Sequence, residues 1–184
     1  LKKIKFEGNT AFKSKELSKY LKTRPKMFFL FGTFKEEVFE KDLERVSFYY
    51  QKEGYLDVKV APEFEYLKDK NQIIITIKIE EGKKYLTGDV RFKGNTLFPE
   101  SELWQSLEML PGLTYSQYYV SQDIEKLRQF YAGEGYIEAR VVPDVNLNKD
   151  TGKVDITYEI TEGDLFFVEK VQIRGNTKTR DKVI

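Results

Sequence analysis

Apolar and polar residues alternate through Ile4-Lys5-Phe6, and again through Val90-Arg91-Phe92. A period of two places the apolar side chains on one face and predicts a strand. Each segment runs into Gly-Asn-Thr, at Gly8-Asn9-Thr10 and Gly94-Asn95-Thr96. Glycine tolerates positive φ and asparagine favours a side-chain turn, so the triplet predicts an exit from a sheet. The period then lengthens. Leu17 and Leu21 mark a short helix, matched by Leu103 and Leu107. Phe39, Leu43, Val46 and Tyr50 mark a longer one, and Val120, Ile124, Leu127 and Tyr131 repeat its spacing. Such spacing gives one apolar helical face. Gly54 and Gly135 follow where a left-handed residue ends a helix of this kind.

Two alternating segments close each copy. Val58, Val60, Phe64 and Tyr66 are answered by Ala139, Val141, Val145 and Leu147. After turns at Asp69-Lys70-Asn71 and at Asn148 to Gly152, the last segment carries Ile73, Ile75, Ile77 and Ile79, or Val154, Ile156, Tyr158 and Ile160. Its other face, with Thr76, Lys78 and Glu80 or Asp155, Thr157 and Glu159, is expected to meet water. A one-faced sheet covered by two helices is an α+β two-layer unit, here in the order β-α-α-β-β. Pro62 and Pro143 fall at equivalent places in the middle segment. Proline lacks the donor a ladder needs, so that segment is placed at the sheet edge and the last segment at its centre. The predicted strand order is 1-3-2, with open edges along residues 56–66 and 137–147.

The copies repeat at a domain-sized period. Gly8, Gly94 and Gly175 lie 86 and 81 residues apart (94 − 8 and 175 − 94), and Val171 to Thr179 restates the opening phrase. A solenoid unit is about 20–50 residues long, so each copy reads as a small domain. The expected domains are 1–82, with an aromatic insertion at 27–34, then 83–163, then 164–184 as the opening of a third. Leu1, in place of an initiator methionine, suggests a piece of a longer chain. The short link between copies predicts a restricted orientation with a hinge at Gly82 and Lys83.

Charge is balanced, 31 basic residues against 30 acidic, whereas a nucleic-acid module draws its affinity from a basic excess. That balance argues against a KH-type nucleic-acid module, which also joins three strands, helices and a glycine-bearing loop. Histidine and cysteine are both absent, which removes the commonest general base, imidazole and thiolate metal ligands, and disulfides. No catalytic, metal or cofactor site is expected. Gly-Asn-Thr lacks the frame of a phosphate-binding loop. Glu36-Glu37, Glu80-Glu81, and Asp123 with Glu125 come without a nucleophile and read as solvated charge. No apolar run approaches the roughly 20 residues of a membrane-spanning helix. Met27, Phe28, Phe29, Leu30 and Phe31 sit in the connection between the first copy's helices. They either cap their own core, pack against the neighbouring domain, or dock a partner or lipid.

A β-α-α-β-β unit that opens with Gly-Asn-Thr-x-Phe and carries a Tyr-x-x-x-Gly-Tyr phrase resembles the POTRA domain. The phrase is Tyr49-Tyr50-Gln51-Lys52-Glu53-Gly54-Tyr55 in the first copy and Phe130 to Tyr136 in the second. Across the whole chain the resemblance is to the repeats of BamA-like outer-membrane-protein assembly factors, the third and fourth followed by the start of the fifth. Other polypeptide-transport barrels share the domain. The resemblance implies a non-catalytic scaffold in the periplasm of a Gram-negative cell, without cofactor. Its implied partners are unfolded outer-membrane protein precursors, accessory lipoproteins of the assembly complex, and a C-terminal membrane barrel of the same full-length chain, with no nucleic acid. On this reading a client strand pairs weakly along Asp57, Val58, Lys59 and Val60, and along Glu138, Ala139, Arg140 and Val141.

Overall fold

Ile75, Ile77 and Ile79 recur on one face of a strand without proline, and that strand is the centre of the first sheet. The computed structural model describes residues 1–25, 34–68 and 72–170. β1 (Lys3–Glu7) pairs parallel with one side of β3 (Gln72–Glu80), and β2 (Lys59–Leu67) pairs antiparallel with the other. The second sheet repeats the plan, with β4 (Leu86–Lys93) parallel to β6 (Lys153–Thr161) and β5 (Arg140–Asn148) antiparallel to it. Both sheets have the order 1-3-2 expected from the prolines.

One face of each sheet is covered by helices: α1 (Ser14–Leu17) and α2 (Glu36–Lys52) in the first module, α3 (Glu100–Leu103) and α4 (Gln117–Gly133) in the second. Phe39, Val46 and Tyr50 of α2 join Leu17, Leu21 and the three isoleucines in one core. Val120, Leu127 and Tyr131 of α4 join Leu103, Leu107, Val154, Ile156, Tyr158 and Ile160 in the other. Each such aliphatic or aromatic side chain stabilises by roughly 1.5–3 kcal/mol on full burial.

The opening phrase folds as a unit. Gly8 and Gly94 have φ of +82° and +85°, and a Cβ on either would lie 2.1 or 2.2 Å from the carbonyl oxygen of Ile79 or Ile160. Only glycine lets the chain leave β1 or β4 so close to the central strand. Asn9 Nδ2 then donates to the Phe12 carbonyl at 2.8 Å, and Asn95 Nδ2 to that of Phe98 at 3.3 Å. This aims each phenylalanine ring edge-on at the last core tyrosine of the long helix, Tyr50 or Tyr131.

Two carboxylates recur in each module as internal ties, and here the expectation of solvated acids is corrected. Asp123 is fully buried and accepts from the N–H groups of Glu108 (2.6 Å) and Met109 (2.9 Å) and from the Tyr158 hydroxyl (2.9 Å). Asp42, also fully buried, accepts from the N–H groups of Lys22 and Thr23 and pairs with Arg45. Burial pushes the Asp42 carboxyl up, but these donors outweigh it and hold the group below its ordinary range. Glu81 takes bonds from Thr10, the Ala11 N–H and the Tyr50 hydroxyl, and Glu162 takes the same set from Thr96, Leu97 and Tyr131. Each of these carboxyls is likewise depressed, donors prevailing over burial.

Tyr85 joins the modules. Its ring is buried in the second core, its N–H donates to the Gly54 carbonyl at 2.9 Å, and its carbonyl accepts from the Tyr115 N–H at 3.1 Å. On the helix side, Phe48 meets Tyr118 edge-on at 6.2 Å, and the Lys52 ammonium lies over the Tyr118 and Tyr119 rings. The expected hinge residues, Gly82 and Lys83, fall in a run held at both ends, by Glu81 in the first module and by Tyr85 in the second. Phe166 repeats the arrangement, donating its N–H to the Gly135 carbonyl at 2.9 Å. The opening phrase of the expected third domain, with the rest of 171–184, lies outside the described residues.

Candidate functional site

Proline fixes which way each edge strand turns its hydrogen-bonding groups. Neighbouring residues of a strand point their N–H and C=O groups to opposite sides, and residues of equal parity share a side. Pro62 lies opposite Ile77 within an unbroken register from Lys59 to Leu67. Lacking an N–H, it belongs to the parity that faces away from β3. Val60, Phe64 and Tyr66 therefore turn their N–H and C=O groups outward too, while Lys59, Ala61, Glu63, Glu65 and Leu67 bond to β3. In β5, Pro143 opposite Tyr158 assigns Val141, Val145 and Leu147 to the outward set by the same reasoning. Among the described residues, neither strand has a second partner on that outer side.

The edges begin later than the sequence pattern suggests. Asp57, Val58, Glu138 and Ala139 precede the strands and are corrected to turn residues. The Val58 N–H donates to the Tyr55 carbonyl at 3.3 Å, and the Ala139 N–H to that of Tyr136 at 3.1 Å. The Asp57 carboxylate accepts from the Tyr85 hydroxyl at 2.6 Å. Lys59, Val60, Arg140 and Val141 are strand residues, at the N-terminal ends of β2 and β5. Of these four only Val60 and Val141 face outward, and the next residue of like parity is the proline. The longer usable edge therefore lies beyond it, at Phe64 and Tyr66 and at Val145 and Leu147, none of which the sequence reading had singled out for binding. The signal was present in the prolines, since their position fixes parity as well as edge placement. Met27, Phe28, Phe29, Leu30 and Phe31 lie outside the described residues.

The side chains around the edge differ by face. Val60, Phe64 and Tyr66 project to the helix-covered side, where Phe64 and Tyr66 remain 36% and 64% exposed. The opposite side carries Glu63, Glu65, Lys59 and Lys78, with Lys78–Glu63 and Lys59–Glu80 pairs at 2.7 and 3.0 Å. Among the described residues, no cluster of His, Cys, Asp or Glu is arranged to hold a metal ion. Asp42 and Asp123 are occupied by structural donors. The geometry offers unpaired backbone beside an aromatic step.

The profile of the POTRA family, described as surface antigen variable number repeat, matches residues 1–82 and 85–163. The chain belongs to the POTRA family. Its two described modules are similar to those of outer membrane protein assembly factor BamA from Neisseria meningitidis serogroup B, with 28% identity over 187 residues. That match takes in 98% of this chain and 24% of the relative. A putative outer membrane protein assembly factor of Treponema pallidum is 30% identical over 189 residues, covering 99% of the chain and 22% of the relative. The chain thus spans about a quarter of the length of the curated relatives it matches. The crystal structure of Haemophilus influenzae BamA POTRA3-5 superposes with a TM-score of 0.64 at 24% identity, over all of this chain and 74% of that one. POTRA1-2 of the periplasmic domain of Omp85 from Anabaena superposes at 0.54 with 14% identity, over 90% and 95%. At these identities the two structures establish the POTRA fold, with its mixed three-stranded sheet.

Proposed function

We propose that this pair of POTRA modules is part of the periplasmic arm of a Gram-negative outer-membrane-protein assembly factor. It holds unfolded β-barrel precursors by adding their strands to its open sheet edges. Accessory lipoproteins of the assembly complex and the membrane barrel of the same full-length chain are its other partners, and its part in assembly is non-catalytic. The assembly-factor relatives support this setting. The observation that carries the mechanism is the vacant outer flank of β2 and β5, repeated in successive modules.

Energetics make the pairing weak. From Pro62 to Tyr66 the edge offers two donors and three acceptors, and a backbone hydrogen bond nets about 1 kcal/mol. Ordering five client residues costs about 1–2 kcal/mol each. The two sums lie within a few kcal/mol of each other, so side-chain contact decides whether a segment stays. Short residence with little dependence on sequence suits an arm that must pass its client on.

Photo-crosslinking tests the reading. A crosslinking residue is placed at Glu65 beside the edge, or at Glu125 on α4, and a urea-denatured outer-membrane β-barrel protein is diluted into each. The expected result is adducts from position 65 well above those from position 125. Equal yields at the two positions would contradict strand addition.

A further inference from the structure

The two edges share a backbone pattern but differ in the side chains beside it. Phe64 and Tyr66 stack at 6.4 Å with planes 29° apart, and Phe64 is braced edge-on by Phe34 and by Phe39, each at 6.2 Å. Their counterparts 81 residues on are Val145 and Leu147 (145 − 64 and 147 − 66), and Leu147 is drawn in against the second core. The first module therefore carries an aromatic ledge along its open flank, and the second has none.

The geometry points to the first module as the selective edge, with Phe64 and Tyr66 choosing extended segments that carry apolar side chains at every second position. This rests on strand addition as the binding mode. The residues whose N–H and C=O groups face outward are the same ones whose side chains project to the helix side. A client residue paired directly with Phe64 places its side chain on that face too, with Cβ atoms about 5 Å apart, and the residue two further on reaches Tyr66. Apolar groups at those alternate positions extend the aromatic step and cover two exposed rings. The intervening client residues turn to the other face, where Glu63 and Glu65 stand, so polar or basic side chains are favoured there. A segment with its apolar residues in one block satisfies neither face. It buries one apolar group on the ledge and sets the next against the glutamates. At β5 the smaller Val145, beside a Leu147 drawn in against the core, rewards alternation far less.

Two octapeptides of identical composition test this by NMR titration of the isotope-labelled chain. One alternates Tyr or Val with Lys or Thr, and the other groups the same residues in blocks. The expected result is shifts at the Phe64 and Tyr66 amides with the alternating peptide bound about tenfold more tightly than the blocked one. At Val145 and Leu147 the two peptides should differ little. A Phe64→Leu/Tyr66→Ser variant keeps an apolar group against Phe39 and should lose the discrimination while residual pairing at β2 remains. Equal affinity of both peptides for β2 would overturn the selectivity and leave strand addition standing. Shifts avoiding both edges at millimolar peptide would overturn strand addition itself. Two results on the free chain would each assign the ledge another occupant and overturn the proposal. One is nuclear Overhauser contacts from residues 27–31 to the Tyr66 ring, and the other is concentration-dependent shifts at Tyr66 without peptide.

Discussion

The Tyr85 hydroxyl donates to the Asp57 carboxylate at 2.6 Å, tying a ring buried in the second module to the turn that precedes β2 in the first. The turn that delimits the open edge is thereby coupled to the joint between modules. Gly82 lies against the same residue, where a Cβ would sit 3.0 Å from that of Asp57. Tyr85→Phe removes the hydroxyl and keeps the ring. The second module should unfold within about 1 kcal/mol of the parent, while residual dipolar couplings should report a broader range of inter-module orientations. Unchanged couplings would show that the Tyr85 N–H bond to Gly54 and the Phe48 and Lys52 contacts with Tyr118 hold the joint without the hydroxyl.

Asp123→Ala should be among the more damaging single changes in the second module. It leaves the N–H groups of Glu108 and Met109 and the Tyr158 hydroxyl without their acceptor in a buried site. The expected loss is on the order of 3 kcal/mol. At roughly 4–8 °C per kcal/mol for a module of this size, that lowers its melting point by more than 10 °C. Calorimetry should show the second module's transition moving while the first stays in place, and a shift of a degree or two would contradict the structural role.

Acid should loosen both modules, through Asp42 and Glu81 in the first and Glu162 in the second. Glu81, Glu162 and Asp42 all have folded-state carboxyls held below their ordinary values of 4.5, 4.5 and 3.8. Each therefore binds a proton more readily when unfolded. The stability they contribute is complete above those ordinary values and is lost as pH falls below them, through the depressed folded range. Urea midpoints should be level from neutral pH to about 5 and then decline. A Glu81→Gln/Glu162→Gln variant should be weaker at neutral pH and show a shallower decline in acid. Parallel curves for the two proteins would assign the acid limb to other groups.

The periodic features of the fold were readable because burial imposes them. Ile75, Ile77 and Ile79 of β3, the α2 and α4 faces and the two prolines each act through a local rule, and each took its expected place. The limits of β2 and β5 were not readable, because apolar alternation continues through Val58 and Ala139 although their N–H groups close turns. Asp123 reads as solvated charge because an acid in a helix usually faces water. Asp42 and Asp123 recur 81 residues apart (123 − 42), each three residues after a core residue, Phe39 or Val120. That register places an acid on the apolar face and was the available signal. The ledge of Phe64 and Tyr66 escaped notice for the opposite reason. Alternation marks them as core, and only the structure shows two rings left uncovered at the end of an edge strand.

Amide hydrogen exchange along β2, measured with and without the alternating octapeptide, tests the open edge most directly. In the free chain the N–H groups of Glu63 and Glu65 should exchange slowly, bonded to β3, while those of Phe64 and Tyr66 exchange fast. Saturating peptide should slow Phe64 and Tyr66 by about tenfold or more and leave Glu63 and Glu65 as they were. Slow exchange at Phe64 and Tyr66 in the free chain, or fast exchange there with peptide bound, would contradict a vacant edge that clients fill.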